Sequence, residues 1–226
     1  FDTSGKLLWK KPYAEEWVRS FPGSRSTPAV NDGNVYVITG HGVVVCLSVS
    51  DGGKLWSEDI KSKYNGKSKS WGYASSPLIY KNMIIFSPGG PKAGIVALNK
   101  DDGSVIWESK STGEGDAYCP PLVFEHAGRK ILVTMMEESV WFVNPDTGEL
   151  IYRDKFTEYQ KKPKDINPNT PIYNNGYVFT SSGYDAGCAM YEISDDGSKI
   201  SRKWTDEVLD THHGGNILIN GRIYGA

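Results

Sequence analysis

Arg25, Trp71, Tyr73, Tyr118, Asn169, His212 and His213 carry the side chains that a binding site would use. They are scattered along the chain, yet each lies within six residues upstream of a recurring anchor, at Pro28, Pro77, Pro121, Pro171 or Gly215. Flat rings with amide, guanidinium and imidazole donors suit a planar, polar or anionic ligand, held by stacking and charge-assisted hydrogen bonds. The adjacent histidines raise a metal alternative. Neighbouring residues on an extended strand point to opposite sides, and no third ligand stands at a recognisable spacing. No metal site is therefore expected. The stretch "GGPKAG" (89–94) precedes a strand rather than a helix, so it is not a phosphate loop.

What positions these residues is an internal repeat. The stretches "TSGKLLW" (3–9), "SDGGKLW" (50–56), "DDGSVIW" (101–107), "PDTGELIY" (145–152) and "SDDGSKISRKW" (194–204) share a turn glycine followed by an aromatic. The glycines are Gly5, Gly52, Gly103, Gly148 and Gly197; the aromatics are Trp9, Trp56, Trp107, Tyr152 and Trp204. Each copy follows an extended-looking run, as a β-hairpin would. In phase with it runs a second hairpin: an anchor, a short apolar strand, a turn such as Asp32-Gly33 or Asn175-Gly176, and another strand. Each repeat of roughly 48 residues thus holds four strands, A to D, which is the signature of a β-propeller blade.

The expected fold is an all-β propeller of four-stranded antiparallel blades at about 27–60, 76–111, 120–155 and 170–206, forming one domain over 1–226. Runs such as "VYVIT" and "MIIFS" are apolar on successive residues, as strands covered on both faces should be. The segment "YAEEWVRSF" (13–21) is the one stretch that reads as a helical turn. A partial blade stands at each end, so the chain reads as a piece of a longer protein; the alternative is that the two end hairpins join and close a five-bladed ring. A net charge of −2 argues against a nucleic-acid groove. The lysines of "KSKYNGKSKS" (61–70) and "YQKKPK" (159–164) read as solubilising surface. No transmembrane segment is present. Cys46, Cys119 and Cys188 are single and widely spaced, and read as buried free thiols.

The repeated pair of a TP-type anchor and a "G-x-x-x-W" turn resembles the PQQ-like propeller repeat. That repeat is shared by quinoprotein alcohol dehydrogenases and BamB-type outer-membrane assembly lipoproteins. "WGYASSPLIY", "NTPIYNNGYVFTSSGY" and "HHGGNILINGRIYG" are similar to a group of bacterial BamB-like proteins sometimes labelled polyvinyl-alcohol dehydrogenase. The resemblance implies an eight-bladed ring in the intact protein, with the motif tryptophans packing between blades. It also implies two functions. One is a non-catalytic scaffold without cofactor, periplasmic or secreted, with a lipid anchor at a missing N-terminus as one form of it. The other is a dehydrogenase that holds PQQ with Ca²⁺. Classical quinoprotein alcohol dehydrogenases carry a vicinal Cys-Cys pair over the cofactor. No such pair occurs here, nor their recognisable calcium-binding acids or catalytic Asp, so the scaffold is the leading expectation.

In an A-to-D meander the D-to-A connections and B–C loops share one face of the disc. The connections are long, at 10–27, 61–76, 155–170 and 205–214, and long loops on a rigid scaffold are where binding residues usually lie. His41, residues 87–94, Glu137, Glu138 and "SGYDAG" (182–187) join them from the B–C side. The seven residues are therefore expected to surround one opening for a protein or glycan partner. The competing reading is that their rings and imidazoles only close the channel through hydrogen bonds to backbone.

Overall fold

The hairpins are built from their turns outward. Four A–B turns place a positive-φ residue before a positive-φ glycine: Asp32-Gly33, Ala127-Gly128, Asn175-Gly176 and Asn220-Gly221. Two successive left-handed residues give the mirror-image turn whose twist matches that of paired strands. In the computed structural model, which describes residues 1–19, 21–161, 165–212 and 214–225, these hairpins join into four four-stranded sheets and one two-stranded sheet, all antiparallel. The first holds β1 (Ala29–Asn31), β2 (Asn34–Ile38), β3 (Val43–Ser48) and β4 (Lys54–Asp59). The second holds β5 (Leu78–Tyr80), β6 (Met83–Phe86), β7 (Ala93–Asn99) and β8 (Val105–Lys110). The third holds β9 (Leu122–His126), β10 (Arg129–Met135), β11 (Ser139–Val143) and β12 (Leu150–Lys155). The fourth holds β13 (Ile172–Asn174), β14 (Tyr177–Ser182), β15 (Gly187–Ile193) and β16 (Ile200–Asp206). β17 (Ile217–Ile219) pairs with β18 (Arg222–Tyr224).

Each sheet is a simple meander, and the register repeats as faithfully as the sequence. Every C–D pair carries a shift in register just beyond the residue opposite the motif aromatic: after Cys46, Ala97, Phe142 and Met190. Such bulges bend and twist a strand pair locally. Four repetitions at one place give the four blades the same curvature. The middle strands are buried on successive residues; every residue of β6 and β11 is buried. Apolar layers fill the spaces between consecutive sheets. Tyr36, Val44 and Cys46 meet Ile84, Phe86 and Leu98 at the first junction. Ile85, Ala97 and Trp107 meet Leu132, Trp141 and Val143 at the second, and Val133, Phe142 and Phe156 meet Val178, Ala189 and Tyr191 at the third.

The motif tryptophans reach from one blade into the next. The Trp9 ring lies over Gly52 and its Nε1–H donates to the Val49 carbonyl at 2.7 Å. Trp56 covers Gly103 and donates to Lys100 O at 3.0 Å; Trp107 covers Gly148 and donates to Pro145 O at 3.0 Å. A side chain on the turn glycine would collide with the indole, so the glycine serves close approach as well as its left-handed φ. The acceptor is always the carbonyl three residues before that glycine. Tyr152 has no ring N–H, and at its junction the lock is rebuilt. Arg129 covers Gly197, and His126 Nε2 bonds to Ser194 O, the equivalent carbonyl, at 2.9 Å. Trp204, the last of the series, packs against Phe179 within its own blade and is 42% exposed.

The described residues of the segment 13–21 are not helical. Glu16 instead accepts hydrogen bonds from the backbone of Trp17 and Gly40, both at 3.1 Å, and Trp17 is buried against Gly40 and His41. Those contacts with the B–C loop of the first blade hold the segment open. Among the described residues the one α-helix is α1 (Ile60–Tyr64), started by Asp59, whose carboxylate accepts from Ser62 N at 2.9 Å; a 3-10 turn spans Phe156–Glu158. The three cysteines are free and buried, with Cys46 in β3 and Cys188 within β15. Among the described residues no helix is long and apolar enough to cross a membrane.

Candidate functional site

The D-to-A connections and the B–C loop of the fourth blade meet at one opening. A cavity of ≈ 390 Å³ there is lined by Phe21, Arg25, Trp71, Tyr118, Tyr184 and His212, with Ala74, Ile166 and Pro168 between them. Four of the seven expected residues, Arg25, Trp71, Tyr118 and His212, thus face a common space. The Phe21 and Trp71 rings lie 5.8 Å apart, and Tyr184 and His212 4.3 Å apart, both pairs tilted. Trp71 N–H donates to the Tyr118 hydroxyl at 3.1 Å, and Arg25 Nη2 donates to Phe21 O at 2.6 Å.

Two expected residues do other work. Tyr73 is 1% exposed and donates its hydroxyl to Pro88 O at 2.8 Å, inside the layer between the first two blades. Trp71 and Tyr73 would share a side on an extended strand, but Gly72 between them has φ +79° and turns the chain. The ring of Trp71 goes to the mouth and that of Tyr73 to the core. Asn169 is buried; its Nδ2 donates to Ser181 Oγ at 3.1 Å and to Thr211 O. It braces the loop and also borders a smaller adjoining cavity of ≈ 350 Å³ shared with Pro168 and His212. His213 lies outside the described residues. Two other side chains of this face have structural partners: His41 Nε2 bonds to Glu16 O at 3.2 Å, and Glu137 pairs with Lys69 and accepts from Gly115 N at 2.8 Å.

The backbone separates this opening from the rest of the molecule. Among the described residues, ten other than glycine have positive φ. Asp32, Lys81, Ala127, Asn175 and Asn220 stand in A–B turns, and Asn65 caps α1. The remaining four are Phe21 (+56°), Tyr118 (+71°), Tyr184 (+64°) and Asp185 (+65°). Three of these line the cavity and the fourth adjoins it. Left-handed backbone is costly for bulky residues, of order 1–3 kcal/mol each, and persists only where surroundings impose it. Two carboxylates impose it at Tyr118 and at Tyr184–Asp185. Asp116 accepts from Tyr118 N at 3.2 Å and from Ser75 Oγ at 2.9 Å. Asp210 accepts from the successive N–H groups of Asp185, Ala186 and Gly187 at 2.7, 3.1 and 3.2 Å, which holds the Tyr184 loop over His212. Burial pushes the Asp116 carboxyl up to about 6, against the hydrogen bonds from Ser75 and Tyr118. Burial likewise raises the Tyr118 hydroxyl to about 12, so it stays a neutral donor and acceptor.

Phe21 and Tyr184 were not among the expected site residues. Phe21 lay in the presumed helical turn. Tyr184 belonged to the B–C segment 182–187, but no spacing rule singled it out. The pairing of an aromatic with an acid, Tyr118 after Asp116 and Tyr184 before Asp210, has no fixed order or interval that a sequence could reveal.

As for a quinone with calcium, the residues described supply rings, but the ring pairs are tilted rather than parallel. Among the described residues no group of three or more His, Cys, Asp and Glu side chains is placed to hold a cation.

Over 162 residues, 66% of this chain and 25% of the relative, the sequence is 25% identical to a quinoprotein ethanol dehydrogenase of Pseudomonas putida. Over 87 residues, 38% of this chain and 22% of the relative, it is 33% identical to outer membrane protein assembly factor BamB of Escherichia coli K12. These matches span about a quarter of the relatives' own lengths. Among solved structures, BamB from Moraxella catarrhalis superposes with a TM-score of 0.59 at 14% identity, covering 92% of this chain and 54% of that one. The computationally designed Ika4 protein gives 0.55 at 10% identity, covering 84% of this chain and 99% of that one. Such low identities speak for the fold alone. The family model described as outer membrane protein assembly factor BamB matches residues 1–226 from end to end, and the chain belongs to that family of PQQ-like β-propellers.

Proposed function

We propose that this chain belongs to a non-catalytic propeller of the bacterial periplasm that binds a partner at the loop-lined mouth. The observation that carries this reading is the backbone strain at Phe21, Tyr118 and Tyr184. A mouth that only closed a channel would have no need of three aromatic residues in a conformation that costs energy. Strain of this kind gathers at binding and catalytic positions. Membership in the BamB family supports a scaffold role and a periplasmic place, with a lipid anchor as the means of attachment in the intact protein.

The test is a photo-crosslinking residue at Tyr184, in the protein expressed in its own envelope. A discrete adduct at Tyr184, absent when the same residue replaces Ile151 on a sheet edge, is the expected result. Equal labelling at both positions would sink the reading. The second reading, a quinoprotein dehydrogenase with PQQ and Ca²⁺, is favoured by the match to quinoprotein ethanol dehydrogenase across 66% of the chain. Alcohol-dependent dye reduction after loading with PQQ and Ca²⁺ would establish it in place of the first.

A further inference from the structure

We infer that the mouth takes a proline-rich segment of a partner polypeptide. The inference rests on the reading of the mouth as a partner site, and it adds the chemistry of what enters.

Hydrogen-bond character comes first. Trp71 lines the cavity, and its indole Nε1–H has no acceptor among the described residues. That nitrogen is not among the buried unpaired atoms, so the donor is open to solvent. The Tyr118 hydroxyl accepts the Trp71 backbone N–H at 3.1 Å, and no described acceptor takes its own hydrogen. Two donors are thus open on one wall. No Asn, Gln, Asp or Glu side chain lines the cavity, so a ligand's N–H groups meet no side-chain amide or carboxylate there. A ligand rich in acceptors and poor in donors fits such a wall, because a donor taken out of water unpaired costs free energy. A run of prolines is that kind of polypeptide. Each residue keeps its carbonyl and has no N–H, and the polyproline II form leaves those carbonyls free of internal hydrogen bonds. Such a run carries no charge, so its fit depends neither on the Arg25 guanidinium nor on the acids of the rim.

The rings of the wall lead to the same ligand. The Phe21 and Trp71 rings are tilted at 36° to each other, and those of Tyr184 and His212 at 51°. The four residues come from four different loops, so their edges and faces make an uneven aromatic surface rather than a slot between parallel planes. Compact pyrrolidine rings pack against a surface of that shape, and proline-rich segments dock on aromatic-lined grooves. A fused planar ligand needs parallel faces instead. Ala74, Ile166 and Pro168 add apolar surface between the rings. A volume of ≈ 390 Å³ lies near the lower end of ligand pockets and suits a short extended run. A glycan is disfavoured because its hydroxyls donate as well as accept, and each must be hydrogen-bonded when taken out of water.

The experiment uses the purified protein and fluorescein-labelled, end-capped peptides with the centres Pro-Pro-Pro-Pro, Ala-Ala-Ala-Ala and Ala-Phe-Phe-Ala between Gly-Ser flanks, read by anisotropy. The proline peptide should bind about tenfold tighter than either of the others, one N–H left without an acceptor costing about that ratio. Its affinity should change by less than about twofold as salt rises, since no ion pair forms. Trp71→Phe keeps a ring and removes the indole N–H. It should weaken the proline peptide about fivefold, one neutral hydrogen bond being worth about that ratio, with urea unfolding unchanged. Tyr184→Ala, which removes a ring from the opposite pair, should weaken it as well. Equal binding of the proline and alanine peptides, tighter binding of the phenylalanine peptide, or undiminished binding by Trp71→Phe would overturn the inference while leaving the mouth a partner site, as the crosslink at Tyr184 would independently show. Binding of a neutral oligosaccharide such as cellotetraose with no peptide bound would overturn the choice of polypeptide. Binding of none of these probes would overturn the inference altogether.

Discussion

Gly148→Ala is the sharpest perturbation of the inter-blade lock. Gly148 has φ +76°, so any Cβ there carries a left-handed penalty of about 1–2 kcal/mol. A Cβ would also run into the Trp107 ring, whose Cδ2 would stand 3.0 Å away and Cε3 closer still. That ring is 7% exposed and is tied to Pro145 O, so it cannot swing aside without losing its hydrogen bond and its place between blades. Displacing it forfeits part of the roughly 3–5 kcal/mol that deleting a buried Trp costs. Gly128 supplies the control: its φ is +75°, yet nothing lies within 4 Å of a Cβ built there. Gly128→Ala should therefore cost about 1–2 kcal/mol by strain alone, and Gly148→Ala about 3–5 kcal/mol. In a Trp107→Ala background the clash is gone, and Gly148→Ala should fall back to the value of Gly128→Ala, a coupling of at least about 1 kcal/mol. Urea unfolding of the four variants measures this. Equal costs for the two glycine substitutions in the wild-type background would refute the lock.

Three further outcomes are expected. Tyr73→Ala should lower stability by about 3–5 kcal/mol in urea unfolding, as a buried ring of the first junction, whereas Tyr184→Ala should change it by less than about 1 kcal/mol; the reverse order would mean that core and mouth have been confused. Asp116 titrates near 6 when folded and near its ordinary value of about 3.9 when unfolded. The folded state therefore binds the extra proton between those values, so stability relative to Asp116→Asn should rise as pH falls from about 6 to about 4. A stability difference that stays flat, or shifts the other way, in denaturation at pH 7 and pH 4.5 would contradict the burial of that carboxyl. Burial pushes the Cys46 thiol up to about 11 and that of Cys119 to about 12, and the thiolate is the reactive form. Both should resist a thiol reagent at pH 8 until denaturant is added; fast labelling in the native protein would show the blades to be open.

The blades were legible because a propeller writes each element several times. One ambiguous strand is decided by its copies, and the turn glycines stand where the structure needs left-handed backbone. The helix was misplaced because Glu16 bonds to the first blade's B–C loop rather than within a helical turn, a long-range competition that local pattern does not display. Register also reached the mouth only approximately. Counting back from each anchor brought out Arg25, Trp71, Tyr118 and His212. It could not see that Gly72 reverses the chain before Tyr73, or that Asn169 turns inward to Thr211 and Ser181. Nor could it see that His126 takes over a carbonyl where Tyr152 has replaced the indole. That exchange joins two positions in different hairpins, and only the shared acceptor relates them.

The positive φ values at the mouth bear on how a partner would associate. The energy of setting Tyr118 and Tyr184 in their places is met during folding, by Asp116, Asp210 and the loops they clamp; Phe21 is held by its carbonyl on Arg25 and its ring against Trp71. An incoming chain finds the rings already set and gives up little loop entropy of the protein's own, so nearly all the ordering falls on the newcomer. Association should then leave the backbone of this face where it was, within about 1 Å. Affinity would be tuned on the partner's side, by how stiff the segment is that enters the opening.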